Sequence, residues 1–435
     1  MMAHTKFHLG YFTKFGATSW PGDGKEFGSQ WADGSYHKEL AKMLEAAKFD
    51  FILFEDSVIV GDRYGGSMEL DLKNATLSPK LDPIPLLPVM AQDTSHIGLI
   101  ATASTTFYPP YLLARLLSTV DSLTGGRAGW NMVTSSEKNA AMNFGMDKLL
   151  PPTERYDMAD EFVELTKKLW DSWEEGALVA NTDTGVYVDH TKVHTINFEG
   201  KHFRSRGPLN TLRSPQGYPV LCQAGASERG REFSSKNAEV VLGMMTGGVK
   251  GMKAYREDIR NRAEKQGRNP DDIKVVFLTP VNILPEGEEP HEMTEAEKQA
   301  SFEHNIVMAS SSLDVDFSQY DLDVPVPQDI VAGGHTSALD HMKKLGREEG
   351  KSIRDLFSAG QGASGMDFSG TPQQVAEKMM AVMDEVGGDG FLIEGSGYNR
   401  QLPELVNGVI PALQKAGAVR TEYKGTTLRE ILREF

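Results

Sequence analysis

The sequence predicts an α/β fold, a (β/α)8 TIM barrel with insertions, in which eight parallel strands close into a ring inside a layer of helices. Three observations point there. Short apolar runs rich in β-branched and aromatic residues alternate with amphipathic helical patterns, the rhythm of βα units. Eight such runs occur, at 7–12, 51–56, 97–104, 128–135, 220–224, 240–244, 275–283 and 390–394. The length of 435 residues suits one barrel with additions, so the whole chain, 1–435, is expected to form a single domain.

In chain order, the run 7–12 opens the sheet, and a helix over 36–48 leads into 51–56, an apolar run closed by Asp56. A carboxylate there is costly to bury without partners, and the residues leave open whether it caps a loop or meets a ligand. At the end of the run 97–104, residues 101–106 alternate hydroxyls with small residues, and period two sends Thr102 and Ser104 to one face, a pattern that ordinary strand sequence also shows. A helix over 110–123 precedes the run 128–135, and a helix over 155–173 follows it.

The stretch 174–218 exceeds what a loop needs, and Asn197 to Phe203 reads as a hairpin turning at Glu199-Gly200. The run 220–224 then enters Gly225-Ala226-Ser227, with Ser227 as the N-cap of the helix that begins at Glu228. Exposed amides behind a Gly-Ala turn suit a phosphate, and equally a plain cap. After a helix over 249–266 and the run 275–283, the stretch 285–370 is polar and proline-spaced, and short helices are expected in it. Its glycine-rich end, 360–370, reads as a mobile loop. A helix over 372–386 and the run 390–394 complete the ring.

The balance of 45 basic against 61 acidic residues gives a net charge of −16, which argues against nucleic acid or an anionic membrane as partner. No run approaches the roughly 18 to 20 apolar residues of a membrane span, and no export signal precedes the first strand, so a cytoplasmic protein is expected. The single cysteine, Cys222, excludes an intrachain disulfide and reads as a buried strand residue.

Several catalytic patterns are missing. His190 and His194 sit four apart in an irregular insertion with no glutamate to serve as base, so no metal is expected. No Gly-x-Ser-x-Gly elbow occurs at a strand-to-helix turn. Gly360, Gly362 and Gly365 match a dinucleotide spacing, yet the residues before them, Ile353 to Phe357, read as helix rather than strand. What remains is a set of polar residues at strand ends: Asp56, Thr102, Ser104, Asn131, Thr134 and the segment Gln223 to Ser227.

The run Gly125-Gly126-Arg127-Ala128-Gly129-Trp130-Asn131-Met132-Val133-Thr134-Ser135 resembles the bacterial luciferase-like flavin-dependent monooxygenases, in the branch of the nitrilotriacetate, dibenzothiophene-sulfone and long-chain alkane monooxygenases. Further segments resemble that family in order: Lys48-Phe49-Asp50-Phe51, Tyr108 to Arg115, Arg155 to Phe162, Gln223 to Ser227 and Arg420-Thr421-Glu422-Tyr423. The resemblance implies a barrel that takes reduced FMN from a separate NAD(P)H:flavin reductase and uses O2 to oxygenate a small organic substrate through a flavin peroxide. It also implies a homodimer or homotetramer.

Carried over by position, the flavin contacts fall on Asp56, Thr102, Tyr156 and Ser227. Ser104, Asn131, Gly225 and Ala226 stand beside them, and Phe12, Trp20 and Phe54 are expected to wall the substrate cavity. Two departures stand out. The family's His-Asp-x-Arg-Tyr pattern is here Pro152-Thr153-Glu154-Arg155-Tyr156, and the N-terminal histidines give way to Gly16-Ala17-Thr18-Ser19-Trp20-Pro21. Two alternatives remain on the same fold: a deazaflavin-dependent hydride-transfer enzyme, and a flavin-binding relative without catalysis.

Overall fold

The computed structural model describes residues 4–17, 30–288, 292–333, 336–358, 366–395 and 401–435. Eight parallel strands close into a barrel: β1 (His8–Lys14), β2 (Phe51–Glu55), β3 (Gly98–Ser104), β4 (Ala128–Val133), β5 (Val220–Ala224), β6 (Val240–Gly243), β7 (Lys274–Pro280) and β8 (Gly390–Glu394). Each pairs with its neighbours in sequence, and β8 closes on β1 with His8 opposite Gly390 and Phe12 opposite Glu394.

All eight expected strands are present, and the shifts at their ends have local causes. The seventh stops at Pro280 rather than at 283, because proline brings no N–H to the ladder. Asn282–Ile283 forms instead a separate short ladder with Ser369–Gly370. The fourth ends at Val133, before Ser135 turns to a positive φ of 53°.

The helices used below are α1 (Ser35–Ala46), α2 (Glu69–Asn74), α3 (Pro110–Leu123), α4 (Pro152–Trp170), α5 (Glu228–Asn237), α6 (Gly248–Lys265), α7 (Glu295–Leu313), α8 (Pro372–Val386) and α9 (Leu428–Leu432). Two apolar cores follow from the two faces of each strand. Phe51, Leu53, Ile100, Val220, Cys222, Val276 and Leu392 fill the barrel. Ile52, Phe54, Ala101, Trp130 and Leu221 pack outward with the helices.

The N-terminal end of the barrel is closed from below. Leu428 and Leu432 of α9 join the interior cluster, and a Cβ on Gly98 would stand 2.3 Å from Leu428 Cδ1, so only glycine admits that leucine. Beside it, Arg420 Nη2 donates to Asp50 Oδ1 at 2.6 Å with both side chains only 2% exposed. Tyr423 donates its hydroxyl to the Phe49 carbonyl at 2.6 Å. Two segments that carried the resemblance, around Asp50 and Arg420, therefore meet at the end of the barrel away from the strand C-termini.

Of the two long insertions, the first holds the expected hairpin. Phe198–Glu199 pairs with Arg204–Ser205, the turn spans residues 200–203, and the Glu161 carboxylate on α4 accepts the amides of Lys201, His202 and Phe203. The second is more regular than the expected short helices. α7 runs for 19 residues and Thr336–Glu349 for 14. A capping box at Thr294 and Glu297 starts α7, and Phe302, Ile306 and Leu313 bury one face of it in a core shared with Phe317, Val326 and Ile330. Gly360, Gly362 and Gly365, the glycines expected to form a mobile loop, lie outside the described residues.

Candidate active site at the C-terminal mouth of the barrel

At the strand C-termini, where barrels of this kind place their chemistry, the sequence candidates form two clusters. The first lies between β5 and α5. Ser227 is the N-cap, and its Oγ accepts the Gly230 amide at 3.1 Å. Ala226, Ser227 and Glu228 are exposed, so the first turn of α5 opens to solvent. A Cβ on Gly225 would stand 2.5 Å from the Gly230 carbonyl oxygen and 2.6 Å from Gln223 Oε1. Only glycine lets the strand turn so tightly onto the helix start.

Tyr156, from the second turn of α4, brings its hydroxyl to this cluster. It interacts with the side chains of Gln223, Ser227 and Thr134, while burial first of all raises the phenol above its ordinary value. Tyr156 and Ser227, read from distant segments, are thus neighbours. Pro152, where the family's histidine is missing, is the first residue of α4, a position whose amide has no helical partner in any case.

The second cluster faces into the barrel from β3 and β4. Thr102 donates its hydroxyl to the Phe54 carbonyl at 2.8 Å, which commits its only proton. Asn131 Nδ2 then donates to Thr102 Oγ1 at 2.8 Å. The order fixes the amide orientation, since the threonine oxygen can only accept from Asn131. Asn131 Oδ1 is left buried with no partner among the described residues. Ser104, one step up the same face, accepts the Ser135 hydroxyl at 2.9 Å and the Thr106 amide at 3.1 Å.

Asp56 stands just past β2, half-buried. Burial, with Glu55 and Asp82 adding repulsion and Lys80 opposing, pushes its carboxyl up to about 6. Lys80 is itself committed, donating to Glu55 at 2.8 Å and to Ser57 at 2.9 Å. Tyr108 interacts with Asp82, and burial followed by the charges of Asp82 and Asp56 pushes its phenol up to about 12.

The expected cavity wall is corrected in part. Phe12 packs against the barrel interior. Phe54 does not: it is fully buried in the outer core, its ring centroid 5.8 Å from that of His37 on α1, because Leu53 takes the inward place on β2. Trp20 lies outside the described residues. Two charged strand ends escaped the sequence reading, Lys14 on β1 and Glu394 on β8, although each closes an apolar run just as Asp56 does.

Other candidates stay away from the mouth. Cys222 is fully buried in the barrel, and burial raises its thiol well above the ordinary value. His194 pairs with Glu174 at 2.6 Å on the surface of the first insertion. Among the described residues no three His, Cys, Asp or Glu side chains gather as a metal site, and no helix is long and apolar enough to cross a membrane.

Residues 7–390 match the model of the luciferase-like monooxygenases. The chain belongs to that family. The nitrilotriacetate monooxygenase component A of Aminobacter aminovorans is 39% identical over 418 residues, covering 92% of this chain and 90% of that protein. The crystal structure of a long-chain alkane monooxygenase superposes with a TM-score of 0.82 at 34% identity, covering 99% of this chain and 96% of that one. A riboflavin lyase solved with a modified FMN and riboflavin superposes with a TM-score of 0.83 at 30% identity, covering 98% and 96%.

As a luciferase-like monooxygenase the chain is an oxygenating enzyme. The family signature around Trp130 is, in this structure, mostly architecture. Arg127 is buried and donates to the carbonyls of Thr124, Ile97, Ala91 and Thr94, and Trp130 donates its indole N–H to the Ala103 carbonyl. Asn131 and Thr134 are the members of that run turned toward the candidate site.

Proposed function

We propose that this luciferase-like monooxygenase is the oxygenating component of a two-component system that uses reduced FMN and O2 on a small organic substrate. The single observation that carries the cofactor reading is Asn131 Oδ1, a buried acceptor without a donor beside Thr102. An orphaned acceptor of this kind costs about 1 to 3 kcal/mol unless a ligand supplies an N–H. The isoalloxazine ring carries one. The open first turn of α5 fits the phosphate at the other end, where helix-terminal amides and the Ser227 hydroxyl favour an anion.

Bound reduced FMN would supply the two electrons with which one oxygen atom of O2 enters the substrate and the other leaves as water. The chain's own residues do the rest. Ser227 and the amides around it hold the phosphate, and Tyr156 adds a hydroxyl donor beside them. Thr102 locks the Asn131 amide so that its oxygen faces the ring. Asp56 offers a carboxyl whose proton is in play near pH 6. Phe12, Leu242 and Leu278 line the interior apolar cluster and keep water out of the mouth. The name "component A" of the Aminobacter relative, which implies a second component there, supports a separate NAD(P)H:flavin reductase as partner here.

The deciding experiment titrates the purified chain anaerobically with FMNH2 and with the reduced deazaflavin coenzyme, then follows O2 uptake with a flavin reductase, NADH and FMN. Saturable FMNH2 binding and substrate-dependent O2 uptake are expected. Tight deazaflavin binding with no O2 uptake would overturn the reading, because that outcome belongs to hydride transfer.

A further inference from the structure

The residues proposed for the flavin occupy β2 to β5, four consecutive members of the ring. The arc from β6 through β8 to β1 is left for the substrate. Its inward positions near the mouth are Leu242, Leu278 and Phe12, which pack on the interior cluster, with Lys14 and Glu394 above them. Lys14 follows Phe12 by two residues and so shares its face. Glu394 follows the inward Leu392 by two and lies opposite Phe12 in the ladder.

Among the described residues neither charge has a counterion. Lys14 Nζ donates to the carbonyls of Thr76 at 3.0 Å and Ala75 at 3.4 Å, at the C-terminal end of α2, and an ammonium has a third proton to give. No carboxylate among the described residues comes within 4 Å of it. Glu55 is taken by Lys80, and Asp71 accepts the amides of Gly61 and Leu77 and the hydroxyl of Ser78. Burial, then repulsion from Lys80, lowers the Lys14 ammonium to about 8, with the fields of Glu55 and Asp71 opposing. His304 of α7 faces the same ammonium, and its imidazole is held below the ordinary value by burial and then by Lys14.

Glu394 has no hydrogen bond or ion pair among the described residues, and burial alone raises its carboxyl. It is nonetheless exposed to solvent in the mouth, so a ligand can reach it. Lys14 and Glu394 thus close two neighbouring strands, with Phe12 two residues before one and in register with the other, and filling the mouth with flavin and substrate would strip water from both. Each then needs a partner that the ligand supplies.

We infer that the substrate is a small amphoteric molecule with an apolar middle, its acidic group held by Lys14 and its amine by Glu394 across the ring of Phe12. The inference rests on the flavin reading, which leaves this arc of the mouth free.

Calorimetric titration of the intact chain with 6-aminohexanoate, hexanoate and hexylammonium tests it, run with and without FMN. The amphoteric probe should bind tighter than either singly charged one by about tenfold or more, the yield of one charge-assisted hydrogen bond. Lys14→Met should reduce it to the level of hexylammonium and leave hexylammonium binding unchanged. Glu394→Gln should reduce it to the level of hexanoate and leave hexanoate binding unchanged. Reading each variant on a probe it should not affect separates a charge effect from damage to the fold.

Equal binding of the three probes, no binding of 6-aminohexanoate at millimolar concentration, or an unchanged ranking in both variants overturns the inference. The parallel FMN titration keeps the two readings apart. Loss of FMN binding with the ranking intact would count against the flavin alone, and FMN binding with no ranking would count against the charge pair alone.

Discussion

Asn131 gives its amide N–H to Thr102 at 2.8 Å and keeps its carbonyl oxygen buried and, among the described residues, unmet. Replacing it by leucine removes the acceptor and leaves Thr102 Oγ1 without its donor. The expected result is FMN affinity lower by about tenfold, with a loss of stability near 1 kcal/mol from the lost hydrogen bond. Flavin fluorescence titration and urea unfolding measure the two separately. Unchanged FMN affinity in Asn131→Leu would remove this residue from the flavin site.

Ser227 has a capping role and a proposed phosphate role, and one substitution pulls them apart. Ser227→Asp keeps an N-cap acceptor for the Gly230 amide, so stability should hold within a few tenths of a kcal/mol. The added negative charge faces the phosphate and should weaken FMN by roughly tenfold or more while leaving riboflavin unaffected. Ser227→Ala, by contrast, should cost about 1 kcal/mol of stability. A Ser227→Asp protein that binds FMN as the parent does would show that the phosphate sits elsewhere.

The Asp56 carboxyl, pushed up to about 6 by burial, predicts a pH dependence of flavin binding. Below that value it is neutral, and above it is a carboxylate that accepts N–H or O–H groups of the flavin. Binding should therefore tighten as pH rises through 6. Riboflavin is the probe to use, because the second ionisation of a phosphate also falls near about 6. The inflection should vanish in Asp56→Asn, and its persistence there would assign it to another group.

At the opposite end of the barrel, Arg420→Met should destabilise the chain by about 3 kcal/mol or more, since it strands the buried Asp50 carboxylate. Thermal and urea unfolding read this, with FMN affinity expected to stay the same. Burial acts to raise the Asp50 carboxyl, but His8 and Arg420 outweigh it and hold the group below its ordinary value. A depressed acid stabilises the fold above its unfolded value of about 4, and that stability is lost as pH falls toward the folded value. The acid limb of the stability curve should flatten in Arg420→Met.

The barrel was legible because each strand is a local apolar run and the closing of the ring follows from their number. Ser227 was legible for a similar reason: N-cap chemistry is written within four residues. Phe54 was misplaced because period two says that Leu53 and Phe54 face opposite ways without saying which faces in. Register across the closed sheet decides that, and it is set by distant pairs such as Phe51 with Gly98. Lys14 and Glu394 each close an apolar run, but that they share one mouth emerges only when β8 is laid beside β1, a contact between residues nearly four hundred apart. The length of α7 was hidden by its polar face, since its buried stripe has no partner until the second insertion folds on itself.

Gly98 and the leucine it admits also bear on how the polypeptide emerges from the ribosome. The lowest interior layer is completed by Leu428 and Leu432, and the ring itself waits for residues 390–394 to reach β1. Synthesis therefore delivers the first seven strands well before the pieces that seal them. A nascent chain paused before residue 428 exposes an unstoppered apolar lumen, the kind of surface that chaperones hold and that aggregates when they do not.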